Sequence, residues 1–306
     1  MEISQFIKDV SVIMDKYTVL SRLGSGAHGV VLKVRNNETK VIYAMKVSPH
    51  VHAHIETAFL HILNGSRGIP RVYDFNTDYF NNGDNYYGFI VMDMLKKDIY
   101  SIWRENNYTF SLRTILMIMI NMLSILCKIH RKGILHRDLK PENMLLGRDH
   151  SEIHLVDFGM ANFYRDPDTG MHKSEDEVPV TNKYGTPMYW SPTSGEGFQQ
   201  GRRDDMISLS YILLDFVTRN NLPWSKCFNL DRSINHDAMQ QMKLSLTGKQ
   251  VFDGHPEEFQ IFYDYVRCIP FDGKPRYKSI MNMFLKLFRD KGFTSEGGFI
   301  FDDMNN

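Results

Sequence analysis

Net charge is the first thing this chain lacks: 36 Lys and Arg offset 36 Asp and Glu over 306 residues. With no global field to gather polyanions, charged recognition must be local, so neither nucleic acid nor a membrane is expected as a partner. Cysteine is scarce. Cys127, Cys227 and Cys268 are odd in number, far apart and without a C-x-x-C pair. That argues against a disulfide framework or a zinc site, and for a reducing setting, cytoplasmic or nuclear. Long hydrophobic runs are missing as well. The longest, Ile115 to Ile129, is interrupted by Asn121, Ser124 and Lys128, is short for a membrane span and reads as a buried helix. Residues 1–16 carry acids among apolar residues, with no basic stretch leading into an apolar one, so no secretory signal is expected.

The 42% hydrophobic content is enough for a large core and two domains sharing a cleft. The N-terminal part reads as short β-type runs: Val30 to Val34, a turn at Asn36-Asn37-Glu38-Thr39, then Val41 to Val47, which together predict a hairpin. The strand period of two puts Ala44 and Lys46 on one face and Tyr43, Met45 and Val47 on the other. Ser48-Pro49 predicts a helix start with serine as cap and proline at the first helical position, Asn64-Gly65 its stop, and Glu56 lies near the middle. A second β-rich section ends at Phe89 to Met92, and Asp98 heads a helical section. Apolar residues at Ile115, Met119, Met122, Leu126 and Ile129 predict one long helix, and Asp205 heads a further, buried one. The expected layout is α+β: an extension over 1–16, a small β-rich lobe over 17–95, a larger mainly helical lobe over 96–293 and a short tail over 294–306.

The most informative string is His136-Arg137-Asp138-Leu139-Lys140-Pro141-Glu142-Asn143, with Asp157-Phe158-Gly159 beginning nineteen residues after Asp138. It supplies what phosphoryl transfer needs. Asp138 can draw the proton from a hydroxyl, Lys140 can offset charge on the transferred group, and Asn143 with Asp157 can give oxygen ligands to Mg²⁺. Gly24-Ser25-Gly26-Ala27-His28-Gly29 also fits dinucleotide-binding folds, but there a helix follows the third glycine, whereas here Val30 to Val34 is β-branched. A glycine flap over a triphosphate is the better reading. Lys46, on a strand, is costly to bury unpaired, and Glu56 is its expected anionic partner. Arg137 either holds an anion of the loop after Asp157 or satisfies local carbonyls. Asp205 is placed to accept hydrogen bonds from the backbone of the 136–143 loop.

With those residues in view the chain resembles the casein kinase 1 family of serine/threonine protein kinases over nearly its whole length. The segments that carry this resemblance are His54-Ile55-Glu56, Gly68-Ile69-Pro70, Tyr164-Arg165-Asp166, Arg202-Arg203-Asp204-Asp205, Leu222-Pro223-Trp224 and Phe271-Asp272-Gly273-Lys274-Pro275-Arg276-Tyr277. The resemblance implies a two-lobed kinase fold, ATP and Mg²⁺ as cofactors, protein substrates and a monomer. Its nucleotide would lie against Leu23, Gly24, Ser25, Gly26, Ala27, His28, Gly29, Val30, Val31, Ala44 and Lys46, with Met92 as gatekeeper and Met94 and Leu95 offering hinge backbone. Asp138, Lys140, Lys46 and Glu56 would be the catalytic set, Asn143 and Asp157 the metal ligands. A scaffold that has lost catalysis and a small-molecule kinase are the rival readings. The filled catalytic positions weigh against the first, and the match running on to Tyr277 weighs against the second.

The sequence departs from kinases at large at one place and from the family's own pattern at another. Ser191-Pro192-Thr193 stands where kinases generally place Ala-Pro-Glu, so the glutamate that anchors this loop to an arginine is missing, as it is in casein kinase 1 members. Met188 stands where the family carries an arginine that receives a phosphate or acid upstream of the target residue. Ser174, Thr181 and Thr186 are hydroxyls of the same loop, and Glu175-Asp176-Glu177 are expected to stand in for an activating phosphate on Arg137.

Overall fold

The computed structural model describes residues 12–26, 29–82, 85–148, 150, 152–175, 185–228 and 233–294. Ala27 and His28 of the glycine string, Asp176, Glu177, Thr181, residues 1–11 and residues 295–306 lie outside the described residues. Two compact units emerge, one of Met1–Lys96 with His154–Ala161, the other of Lys97–Ile153 with Asn162–Asn306.

The first unit is a six-stranded antiparallel sheet with one helix. Its strands are β1 (Val12–Ile13), β2 (Tyr17–Gly26), β3 (Gly29–Asn36), β4 (Ile42–Pro49), β5 (Val72–Asn82) and β6 (Asn85–Met92), in the order β1-β2-β3-β4-β6-β5. The expected hairpin is β3 and β4, and its turn is built by Asn36, whose Oδ1 accepts from the backbone N–H groups of Glu38 and Thr39 at 2.9 Å. One face collects Val30, Leu32, Val34, Met45, Val47, Phe89 and Val91 with Ile13 and Tyr17 into a core, as the alternation of strand side chains requires. Val31, Lys46 and Ile90 are cross-strand neighbours on the opposite face. Helix α1 (His50–Leu63) packs against β4, β5 and β6.

The start of α1 differs from expectation. Ser48 and Pro49 still belong to β4, paired with Gly88 and Tyr87, so Pro49 is the N-cap rather than the first helical residue. No side chain caps the helix, and the Ser48 hydroxyl is buried without a hydrogen bond. The sheet ladder holds Ser48 extended one residue too early for it to cap. The stop is as read, with Gly65 at φ +76° just beyond the last turn.

The second unit is mainly helical. Asp98 caps α2 (Ile99–Glu105) by accepting from Ser101 N at 2.8 Å, and Ser111 caps α3 (Leu112–Arg131) by accepting from Thr114 N at 3.2 Å. Lys128, His130 and Arg131 fill the last turn of α3, where cations meet the carbonyl end of the helix dipole. By length and composition α3 could cross a membrane, but about two-thirds of it is buried inside the protein. After α4 (Pro192–Glu196) comes α5 (Arg202–Thr218), which starts three residues before Asp205 because Asp204 Oδ2 accepts from Gly201 N at 2.7 Å. Then follow α6 (His236–Ser245), α7 (Gly248–Val251), α8 (Glu257–Arg267) and α9 (Tyr277–Asp290). α3 packs on α5 and α9, and α8 on α5, which buries α5 on nearly all sides.

Candidate active site

In the first unit β4 delivers Lys46, α1 delivers Glu56, and the returning segment delivers Asp157. Lys46 Nζ lies 2.6 Å from Glu56 Oε2 and 2.7 Å from Asp157 Oδ1. The expected Lys46–Glu56 pair is present, and Asp157 is a second partner that strand and helix periodicity could not show. Burial pulls the Lys46 pKa down, but the two carboxylates outweigh it and hold the ammonium above its ordinary range. Burial pushes Glu56 up, against the opposing charge of Lys46. Glu56 also accepts from Phe158 N at 3.3 Å, which ties α1 to the segment that carries Asp157. Asp157 itself adopts a left-handed backbone at φ 65°, a strained conformation for a residue with a Cβ.

The glycine string spans the end of β2 and the start of β3. A Cβ on Gly24 or Gly26 would meet no atom within 4 Å, whereas one on Gly29, at φ +136°, would lie 2.2 Å from the Val47 carbonyl oxygen. The third glycine is thus required by β4, and the first two, though paired with β3, leave open space where a side chain would stand. Leu23 and Ser25 are exposed on β2, Val31 and Ala44 lie on the face of β3 and β4 that bears Lys46, and Met92 is paired with Ala44. Val30 lies on the other face. Alternation turns its side chain away from Val31 and into the core with Val47 and Phe89. Met94 and Leu95 follow β6, and their backbone groups form no hydrogen bond among the described residues.

In the second unit the 136–143 loop is held from beneath. Asp205 of α5 accepts from His136 N at 2.8 Å through Oδ2 and from Arg137 N at 2.9 Å through Oδ1, as its sequence position suggested. His130 of α3 lies 2.9 Å from the same carboxylate and its other ring nitrogen 2.5 Å from Tyr277 Oη of α9. Burial pushes Asp205 up, but His130, His136 and the backbone N–H outweigh it and keep the carboxyl below its usual range. Arg137 sits at φ 69°, so its backbone, pinned by Asp205, turns the chain toward Asp138.

Asp138 is buried and fully engaged. Its Oδ2 takes Lys140 Nζ at 2.7 Å, its Oδ1 takes the Thr186 hydroxyl at 2.8 Å, and its backbone carbonyl takes Asn143 Nδ2 at 2.9 Å. Lys140 also reaches Thr186 Oγ1 at 3.3 Å. With its nitrogen so used, Asn143 keeps Oδ1 to offer. Gly185, at φ +94°, is required here, because a Cβ would lie 2.5 Å from the Arg137 carbonyl oxygen. Thr186 was read only as a loop hydroxyl; its contact with Asp138 is a long-range one that no local pattern signals. Of the acids expected on Arg137, Glu175 instead pairs with Arg203 at 2.6 Å. The two proposed metal ligands, Asn143 and Asp157, belong to the second and first unit respectively.

Comparison with known proteins agrees with this geometry. The chain matches the protein kinase domain family over residues 17–290. It is 31% identical over 298 residues to Casein kinase I homolog 2 of Schizosaccharomyces pombe, an alignment covering 94% of this chain and 66% of that protein. A six-stranded sheet with a buried lysine–glutamate pair, followed by a helical unit that braces an aspartate-bearing loop, is the protein kinase fold. The chain belongs to the protein kinase family and, within it, to the casein kinase 1 family of serine/threonine kinases.

Proposed function

We propose that this chain transfers the γ-phosphoryl group of ATP, with Mg²⁺, to serine and threonine hydroxyls of proteins. Family membership implies ATP, protein substrates and, in general, a divalent metal. The residues present fit such a ligand: open space beside Gly24 and Gly26, an ammonium on Lys46 steadied by two carboxylates, and hard oxygens, of the kind Mg²⁺ prefers, on Asp157 of the first unit and on Asn143 of the second. Mg²⁺ bound there would neutralise charge on the β- and γ-phosphate oxygens. Lys46 would orient the phosphates, and Glu56 would keep Lys46 in place.

The observation that carries the proposal is at Asp138. Its Oδ1 already accepts a threonine hydroxyl at 2.8 Å, the distance and chemistry that an acceptor serine or threonine requires of a general base. Lys140, 2.7 Å from the same carboxylate, would offset the charge that builds on the transferred group. Met188 offers a thioether in place of a guanidinium fork, so we expect little preference for phosphorylated or acidic residues upstream of the target. The same reading takes the chain as a monomer of the cytoplasm or nucleus; it expects neither nucleic acid nor membrane as a partner, and for that last expectation the neutral overall charge is the support.

A peptide array with radiolabelled ATP and Mg²⁺ tests this. Phosphate should appear on serine and threonine peptides, and Asp138→Asn should lower the rate by roughly 10²–10⁴, the usual contribution of a placed base. Met188→Arg should bring in a preference for phosphorylated or acidic upstream positions. An array that stays blank with the wild-type chain, or an Asp138→Asn variant as active as wild type, refutes the assignment.

A further inference from the structure

Kinases generally anchor the segment before and through Ala-Pro-Glu by a glutamate–arginine ion pair, and Ser191-Pro192-Thr193 cannot form one. Yet this segment is held at almost every residue. Lys243 of α6 is completely buried and donates from Nζ to the carbonyls of both Pro187 and Trp190 at 2.9 Å. Its ammonium also lies 5.2 Å from the ring centroids of Tyr211 and Trp224. Trp224 Nε1 donates to the Met188 carbonyl at 2.9 Å, and Gln240 Nε2 donates to the Pro192 carbonyl at 2.5 Å. Gln240 and Lys243 are three residues apart on α6 and so share one face.

A buried lysine is expensive unless its three N–H groups and its charge are satisfied. Two carbonyls and two aromatic faces offset part of that cost, with the rings contributing cation–π attraction in a dry environment, while burial still pulls the Lys243 pKa down to about 7. The helix that presents Lys243 is fixed in turn. Arg267 of α8 donates to the Lys243 carbonyl at 2.6 Å and to the Leu244 carbonyl at 2.9 Å. On the other side Thr186, directly before Pro187, carries the hydroxyl that reaches Asp138. A continuous path of hydrogen bonds therefore runs from α8 through α6 to the residue beside the proposed base.

We infer that Lys243, supported by Gln240, replaces the missing ion pair and acts as a positioning residue for the protein substrate, by fixing the segment from Thr186 to Thr193 against the 136–143 loop. This rests on the functional reading above. Lys243 touches neither nucleotide-facing residues nor Asp138, so its effect falls on the acceptor and not on ATP. The loss of one point of attachment leaves the first unit, with Lys46, Glu56 and Asp157, as it was.

Lys243→Met keeps an unbranched side chain one atom shorter and removes its charge and donors. In the full chain it should raise the KM for a peptide acceptor about tenfold, because it removes the hydrogen bonds to the Pro187 and Trp190 carbonyls together. The KM for ATP should stay within about twofold. Amide hydrogen exchange over residues 187–194 should rise while that of α3 is unchanged, a readout independent of activity. Unaltered exchange in this segment, or equal changes in the KM for peptide and for ATP, overturns the inference. If Lys243→Met does not fold, Gln240→Met decides: a rise in exchange over 187–194 with a raised peptide KM supports the anchor, and wild-type values for both overturn it. A wild-type chain that phosphorylates no peptide refutes the functional reading, and the exchange measurement still decides whether Lys243 anchors the segment.

Discussion

Two buried aspartates on α5 show how much the partners of a single carboxylate matter. Asp205 is surrounded by donors and stays ionised, whereas Asp215 has the Tyr189 hydroxyl, at 2.7 Å, as its hydrogen-bond partner. Burial therefore pushes Asp215 up to about 7, with the tyrosine bond opposing. A folded pKa above the unfolded value means that the folded state binds the extra proton. The stabilisation is complete below the unfolded value near 3.8 and is lost as pH rises through about 7. Asp215→Asn keeps an acceptor for Tyr189 without a charge. Denaturant titrations should show the variant gaining on wild type as pH rises from about 4 to about 7, by up to roughly 4 kcal/mol, and then levelling. A difference that is flat across this range would mean that Asp215 is solvated in the folded state. Sequence reading found Asp205 because it heads an apolar run beside a recognised motif. Asp215 and Lys243 stand inside apolar helix faces, where only the three-dimensional packing reveals that each has polar company.

At the scale of elements, the glycine string separates demands made by the fold from demands that a ligand makes. Gly29 is pressed against the Val47 carbonyl oxygen and has a positive φ, so the β3–β4 pairing alone requires it. Gly24 has open space where a side chain would stand. Gly29→Ala should lower stability by about 1–3 kcal/mol through backbone strain and displacement of β4. Gly24→Ala should change stability by no more than about 0.5 kcal/mol and still weaken ATP binding, because the methyl group occupies space the phosphates need. Equal losses of melting temperature in the two variants would put both glycines down to folding. The hairpin, the long α3 helix and the helix start at Asp98 were legible in the sequence because strand period, helix period and helix-start chemistry are local. The start of α1 was not: pairing of Ser48 with Gly88 is a sheet property, and it overrode a local cap signal. Val30 and Val31 are neighbours on β3, so the strand period of two by itself puts their side chains on opposite faces.

For the whole molecule, the decisive feature is that the first unit is discontinuous. The chain leaves it at Lys96 and returns for His154–Ala161, bringing Asp157 to Lys46 and Phe158 beside α1. A reading by stretches of sequence divides the chain once and places Asp157 with the helical part. Phe158 is completely buried, and its backbone N–H bonds Glu56, so the returning segment belongs to the packing of the first unit as much as to its chemistry. Phe158→Ala in the full chain should therefore leave a cavity worth about 3–5 kcal/mol within that unit. Because the two units have separate cores, the loss need not spread evenly, and unfolding should cease to be a single transition. Hydrogen exchange should accelerate in α1, β4 and β6 while α3 and α5 keep their protection. Activity should fall with it, since α1 carries Glu56 and the displaced segment carries Asp157. If α3 and α5 lost protection while α1 kept its own, the returning segment would be part of the helical unit, and the lysine–carboxylate set would owe its geometry to something other than this packing.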